Sequence, residues 1–279
     1  MTNLLIHSMA EFAPIIRPCL ERAGVRDVVE IGAEFGGMSH VLGDWCASVG
    51  GTLTSVDPAP KQEFLDWAAD HPAVAHVALP SLEALPQMAR CPDAWVVDGD
   101  HNYYTVFNEL LHIDAICQRE GKPLLAFLHD ISWPCARRDC YYAPDRIPAA
   151  HRHPYSYKAG VHVDDDAIHM GRGWRGMGQF AWALHQGGPE NGVLTAVEDF
   201  LARADTPQRP LAFAHVPAVF GLGVVMDASA EWAEDLAGML LPYHANGLIA
   251  SLELNRLRNY LAVIDWQDRE AEREQGAAA

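Results

Sequence analysis

The first 132 residues alternate short apolar runs with amphipathic stretches, and this alternation constrains the fold more than any other feature of the chain. The apolar runs lie at 27–31 (DVVEI), 52–57 (TLTSVD), 73–79 (AVAHVAL), 93–98 (DAWVVD) and 123–130 (PLLAFLHD). Helix-spaced stretches fall between them at 38–50, closed by Gly50 and Gly51, at 62–71, at 81–89 behind a Ser81 cap, and at 104–120, ended by Gly121. Strand, helix and strand repeated in this way build right-handed crossovers, so the strands lie parallel and helices cover both faces of one sheet. A helix over 3–23 precedes the first run and stops at Gly24. Past residue 132 the pattern breaks. Residues 133–191 are rich in Pro, Gly, His, Arg and aromatics, and so long a segment reads as a lid or substrate insertion. A helix at 192–203 follows, then two apolar runs, LAFAHVP and FGLGVVM, which read as an antiparallel hairpin closing the sheet. The tail, 229–272, reads as helical.

At 279 residues, the chain is long enough for one large domain with an embellishment. Lys and Arg number 20 against 37 Asp and Glu, a formal charge of −17 that repels phosphate backbones and argues against a nucleic-acid partner. None of the six cysteines stands in C-x-x-C spacing, so reduced, scattered thiols are expected. The first residues lack the basic-then-apolar pattern of a signal peptide, and no apolar run reaches membrane-spanning length; the expectation is a cytoplasmic protein without a membrane partner.

The first strand delivers VVEIGAEFGG. Glycines at such a turn admit close backbone approach, and the following helix start offers free N–H groups. The spacing is Gly32, Gly36, Gly37, with Glu34 where a dinucleotide fingerprint wants glycine. A pyrophosphate beside that carboxylate is disfavoured, whereas a cationic cofactor tolerates Glu30 and Glu34. Asp57, at the end of the second run, is placed to accept both ribose hydroxyls of a nucleoside. These features resemble the class I S-adenosylmethionine-dependent methyltransferases, over residues 26–132 and again, through the closing hairpin, over 192–226. The resemblance implies a Rossmann-like, seven-stranded, mostly parallel α/β sheet with a closing antiparallel hairpin. It also implies S-adenosylmethionine held by Glu30, Gly32, Gly36, Asp57, Ser81 and Asp98.

The fourth and fifth runs end in Asp98-Gly99-Asp100-His101 and Leu128-His129-Asp130. Parallel topology brings such ends to one crevice, so three carboxylates and two imidazoles share a mouth. A bound cation relieves their repulsion, and a set of oxygens with one imidazole suits Mg²⁺ or Mn²⁺. Asp100 alone reads equally as a helix cap. The DGDH-x-Y stretch is similar to that of macrocin- and sugar-type O-methyltransferases of natural-product pathways, and the layout to metal-dependent catechol-type enzymes. That likeness implies Asp98, His129 and Asp130 as metal ligands, His129 departing from the usual Asp, and His101 as general base.

In the insertion, Trp133, Tyr141, Tyr142 and Trp174 offer ring faces for an acceptor, and Arg137, Arg138, Arg172 and Arg175 offer charge for a carboxylate or phosphate on it. The run from His162 to His169, with three consecutive aspartates, is a candidate second ion site or a solvated acidic loop. Gly171, Gly173, Gly176 and Gly178 suggest a hinge. Leu248, Leu252, Leu257 and Leu261 mark an apolar stripe on the tail, which packs on the sheet or forms a homodimer. The composite expectation is an O-methyltransferase acting on a small hydroxylated metabolite. The rivals are N- or C-methylation on the same fold, a non-methylating S-adenosylmethionine-binding protein of a hydroxylation system, and a nicotinamide dehydrogenase.

Overall fold

A computed structural model describes residues 5–277. Five parallel strands form first: β1 (Val28–Ile31), β2 (Leu53–Val56), β3 (Val74–Val77), β4 (Ala94–Val97) and β5 (Leu125–Leu128). Their helices are α1 (Ala13–Arg22), α2 (Gly37–Val49), α3 (Gln62–Ala69), α4 (Ser81–Ala84) and α5 (Tyr103–Glu120). The insertion adds β6 (Cys140–Tyr141), β7 (Tyr155–Ser156), β8 (Ala159–His162), β9 (Asp165–Met170), β10 (Trp174–Arg175) and β11 (Ala181–Ala183). Helix α6 (Val193–Ala204) leads to β12 (Leu211–Val216) and β13 (Leu222–Asp227), which pair antiparallel. β13 also runs antiparallel to β5, giving a seven-stranded sheet of order β12-β13-β5-β4-β1-β2-β3. The order reverses between β1 and β4, and ligands of such sheets bind beside that switch, at the carboxyl ends of the strands.

The strands are apolar throughout because both sheet faces are covered. β4 shows the division: Trp95 and Val97 pack with Leu110, Ile113 and Phe200 on the α5–α6 side, while Ala94 and Val96 pack with Ile16, Leu42 and Leu236 on the α1–α2–α7 side.

Both ends of the chain depart from the sequence expectation. The N-terminal helix begins later than residue 3: a 3-10 turn over Met9–Phe12 is capped by the Ser8 hydroxyl on the Ala10 amide, and Pro14 sits in the first turn of α1. Residues 3 and 4 of the expected helix lie outside the described residues. The tail is two helices, α7 (Ala233–Leu240) and α8 (Gly247–Ala277). Pro242 and Ala245, whose φ is +46°, break the run, and the Asn246 side chain accepts the Leu248 and Ile249 amides to restart it. Residues 278 and 279 lie outside the described part. Of the tail's apolar stripe, Leu257 and Leu261 are buried, whereas Leu248 and Leu252 are 70% and 62% exposed. Among the described residues, no helix is long and apolar enough to cross a membrane.

Candidate active site

The turn after β1 is built for close approach. Gly32 has φ +91°, and a Cβ there would lie 2.3 Å from the Asp98 carbonyl oxygen, so only glycine lets the tips of β1 and β4 touch. Gly36, at φ +90°, opens α2. Glu34 is held at φ +46° by Asp57, whose Oδ2 accepts the Ala33 and Glu34 amides at 2.9 and 3.0 Å, while Oδ1 accepts Ala59 at 2.8 Å. Asp57 therefore fixes the turn with three of its acceptor positions, and the expectation that it serves two ribose hydroxyls must be narrowed to what one remaining position allows. Glu30 lies beneath the turn and does not line the cavity. Its Oε2 accepts the Ser39 and Ser55 hydroxyls at 2.6 Å each, Oε1 has no partner, and burial outweighs those bonds to lift its carboxyl to about 7.

At the β4 and β5 tips, Asp98, His129 and Asp130 each present a ligand atom within 4.8 Å of the others, the one such grouping among the described residues. His129 Nδ1 stands 3.0 Å from Asp98 Oδ1 and 3.4 Å from Asp130 Oδ2; its Nε2 donates to the Val219 carbonyl at 2.8 Å. Burial pulls the imidazole towards its neutral form, but the two carboxylates outweigh burial and raise it to about 9. His101 Nε2 completes the row, 3.3 Å from Asp130 Oδ2, with its ring edge-on to Tyr142 at 5.5 Å. Asp130 (φ +57°), Val219 (φ +46°) and Phe220 (φ +65°) all take the left-handed conformation, strain that concentrates where the row is assembled. Sequence reasoning had no access to Val219, a backbone contact 90 residues from His129. Asp100 is not the helix cap: Asn102 caps α5 through the Thr105 amide, and Asp100 accepts the His101 amide and the Thr105 hydroxyl.

A cavity of about 1100 Å³ opens over these tips, from the glycine turn past Asp57 and Ser81 to the row of acids and imidazoles. Ser81 lines it, as the first residue of α4 rather than its cap. The insertion roofs the cavity. Tyr142, 48% exposed, lines it with Arg146, Trp174, Gln179, Phe180 and Trp182. The expected acceptor contacts besides Tyr142 and Trp174 lie elsewhere, with Arg172 and Arg175 turned onto Glu272 and Asp268 of α8. Arg138 is 1% exposed and donates to the Ala183 and Asp166 carbonyls. Arg137 forks onto Glu198 at 2.6 and 2.7 Å, on α6. Tyr141 is buried with its hydroxyl on Asp139, and Trp133 packs beside Trp174 and Phe220 outside the lining. Aromatic residues of a turn-rich segment carry no sign of which faces inward, so Phe180 and Trp182 were missed.

The His162–His169 run does not converge on an ion. Asp165 pairs with His169 at 2.9 Å, Asp164 with Arg258 on α8, and Asp166 with Gln186. The glycines of this region are packing positions as much as turns: a Cβ at Gly173 would lie 2.6 Å from the Val161 carbonyl oxygen, and one at Gly176 would lie 2.5 Å from that of Phe180.

A methyltransferase-domain family model matches residues 29–131. Among solved structures, a Bacillus cereus O-methyltransferase in complex with S-adenosylhomocysteine aligns at 11% identity and TM-score 0.45, over 81% of this chain and 84% of that one. A Podospora anserina methyltransferase, also bound to S-adenosylhomocysteine, aligns at 13% and 0.45, over 79% of each chain. A fibrillarin/Nop5p complex aligns at 14% and 0.30 over 39% of this chain, which spans 52% of that one. No curated protein matches. The family match falls on β1 through the β5 tip, the stretch that carries the glycine turn and both acidic strand ends, so it is this part of the chain that is similar to a methyltransferase domain.

Proposed function

We propose that the protein is an O-methyltransferase acting, with divalent-metal assistance, on a hydroxyl of a small metabolite, a sugar or glycosylated natural product. The observation carrying this reading is the contiguous row His101–Asp130–His129–Asp98 set against the glycine turn. Asp98, His129 and Asp130 fit a metal: a histidine ligand usually donates its second N–H to a carbonyl or carboxylate, as Nε2 does to Val219, leaving Nδ1 free to ligate once neutral. The nitrogen donor favours Mn²⁺ over Mg²⁺. Such a cation, when bound, supplies Lewis acidity that lowers the pKa of the acceptor hydroxyl. S-adenosylmethionine supplies the activated methyl.

The chain's own residues do the rest. His101 accepts the hydroxyl proton, and Asp130 beside its Nε2 stabilises the imidazolium that results. The oxygen then bonds to the methyl carbon as the C–S bond breaks, with the electron pair leaving on sulfur. The thioether that leaves is neutral, so no oxyanion hole is required and alignment is the main demand, which the glycine turn meets by drawing the cofactor against the β4 tip. Tyr142, Phe180 and Trp182 offer faces for the apolar side of a sugar or ring, with Arg146 and Gln179 for its polar groups. The six unpaired thiols suit a reducing, cytoplasmic setting.

A second reading, metal-free transfer to oxygen or to an amine, rests on His129 itself: with both ring nitrogens facing acceptors, its imidazolium already neutralises part of the acidic cluster. Calorimetric titration of Mn²⁺ and Mg²⁺ into the protein, with Asp130→Ala alongside, separates the two. The metal reading expects an isotherm that Asp130→Ala abolishes while S-adenosylhomocysteine still binds. It also expects turnover to fall on chelation, and kcat to fall about 10²- to 10⁴-fold in His101→Ala. Full turnover of metal-stripped enzyme would reject it.

A further inference from the structure

The insertion holds six arginines, and five of them are committed to the fold. Arg137 forks onto Glu198, Arg138 donates to the Ala183 and Asp166 carbonyls, and Arg172 and Arg175 reach Glu272 and Asp268 of α8. Arg152 meets the Pro144 carbonyl at 2.8 Å and Asp145 at 3.2 Å. None of these five lines the cavity. Arg146 is the reverse on both counts. Among the described residues its guanidinium meets no carboxylate or carbonyl, the adjacent Asp145 serving Arg152 instead, and it is the one charged side chain the insertion brings to the cavity. Its backbone is anchored: the 3-10 turn Pro144–Arg146 runs from buried Pro144 to buried Ile147, and the Arg146 amide donates to the Ala143 carbonyl at 3.0 Å. Four residues earlier, Tyr142 stands edge-on to His101 at 5.5 Å and to Phe180 at 5.7 Å. The aromatic wall that starts at the general base thus continues into the loop that carries Arg146.

We propose that the acceptor is an anionic sugar derivative, bearing a carboxylate or phosphate that the Arg146 guanidinium receives while its reacting hydroxyl lies at His101. This rests on the O-methylation reading and narrows its acceptor. The carboxylates that line the cavity all belong to the core, between Glu34 and Asp130. In a chain of charge −17 they repel an anion unless a local cation receives it, and Arg146 is that cation on the acceptor side. The planar guanidinium offers two parallel N–H donors, which match either oxyanion. Tyr142 and Phe180 cover the apolar face of the ring between the two ends. Charge thereby sets orientation: the anionic substituent is anchored away from the strand-tip acids, and a hydroxyl is turned toward them.

The test is calorimetric titration, at about 0.15 M salt to screen general charge effects, into the S-adenosylhomocysteine complex of wild type, Arg146→Gln and Arg146→Lys. The probes are phenyl glucoside, phenyl glucuronide and phenyl glucoside 6-phosphate. Wild type is expected to bind at least one anionic member about 10- to 100-fold more tightly than the neutral glucoside, the worth of charge-assisted hydrogen bonds. Arg146→Gln brings that member to the glucoside's level and leaves the affinities for the glucoside and for S-adenosylhomocysteine unchanged. Arg146→Lys separates the two anions, keeping most of a preference for phosphate and losing one for carboxylate, because a point charge replaces the fork. Equal binding of all three by wild type overturns the inference and leaves O-methylation standing, as does a preference that survives in Arg146→Gln. If S-adenosylhomocysteine binds and none of the glycosides does, the sugar-acceptor reading fails and the inference with it.

Discussion

Glu30 occupies the motif position that suggests a cofactor contact, yet its carboxyl sits below the turn, between Ser39 and Ser55. A strand buried on both faces shows no polar alternation, so the sequence cannot say toward which layer Glu30 points. Its energetic consequence is specific. With the folded carboxyl near 7 against 4.5 for the free group, the native state binds more protons between those values. Stability is thus fullest below about pH 4.5 and is lost as pH rises toward 7. Glu30→Gln removes that dependence, so its stability relative to wild type should rise between pH 4.5 and pH 8 by on the order of 3 kcal/mol. Urea melts of both proteins at the two pH values check this, and a pH-independent difference would show that Glu30 is ionised in the fold.

At the scale of elements, the insertion and α8 form a clamp over the site. Arg175 forks onto Asp268 at 2.6 and 2.8 Å, Arg172 reaches Glu272, and Arg258 reaches Asp164. The first pair is largely screened from water, so losing one partner leaves the other's charge poorly solvated. Asp268→Ala should cost about 1–3 kcal/mol, quicken proteolysis within 155–183 and raise the KM for acceptor while leaving S-adenosylhomocysteine affinity unchanged. Limited digestion and binding measured on one preparation test it; equal cleavage rates would mean that α8 does not hold the insertion. The sequence reading of this segment as a hinged lid missed its two three-stranded sheets. Strands of two to six residues carry little periodicity, and their pairing, such as Trp182 with Cys140 and Ser156, is decided by residues tens of positions apart.

For the whole molecule, the charge of −17 is the dominant long-range term. Self-repulsion in the compact state is screened by salt, so the melting temperature should rise as NaCl goes from about 0.01 to 0.3 M, over which the Debye length shrinks from about 30 Å to under 8 Å. A fall instead would show that ion pairs such as Arg175–Asp268 outweigh the general repulsion. The sequence by itself determined the sheet, because helix and strand periods are local and a buried parallel strand reads as an apolar run. It thereby also determined that Asp98 and Asp130 share a mouth, since parallel strands carry their carboxyl ends to the same edge. Only the tertiary structure decided which insertion side chains enter the cavity and which, like Arg138, brace it. It alone placed the Val219 carbonyl on His129, because facing depends on contacts between segments that no local pattern records.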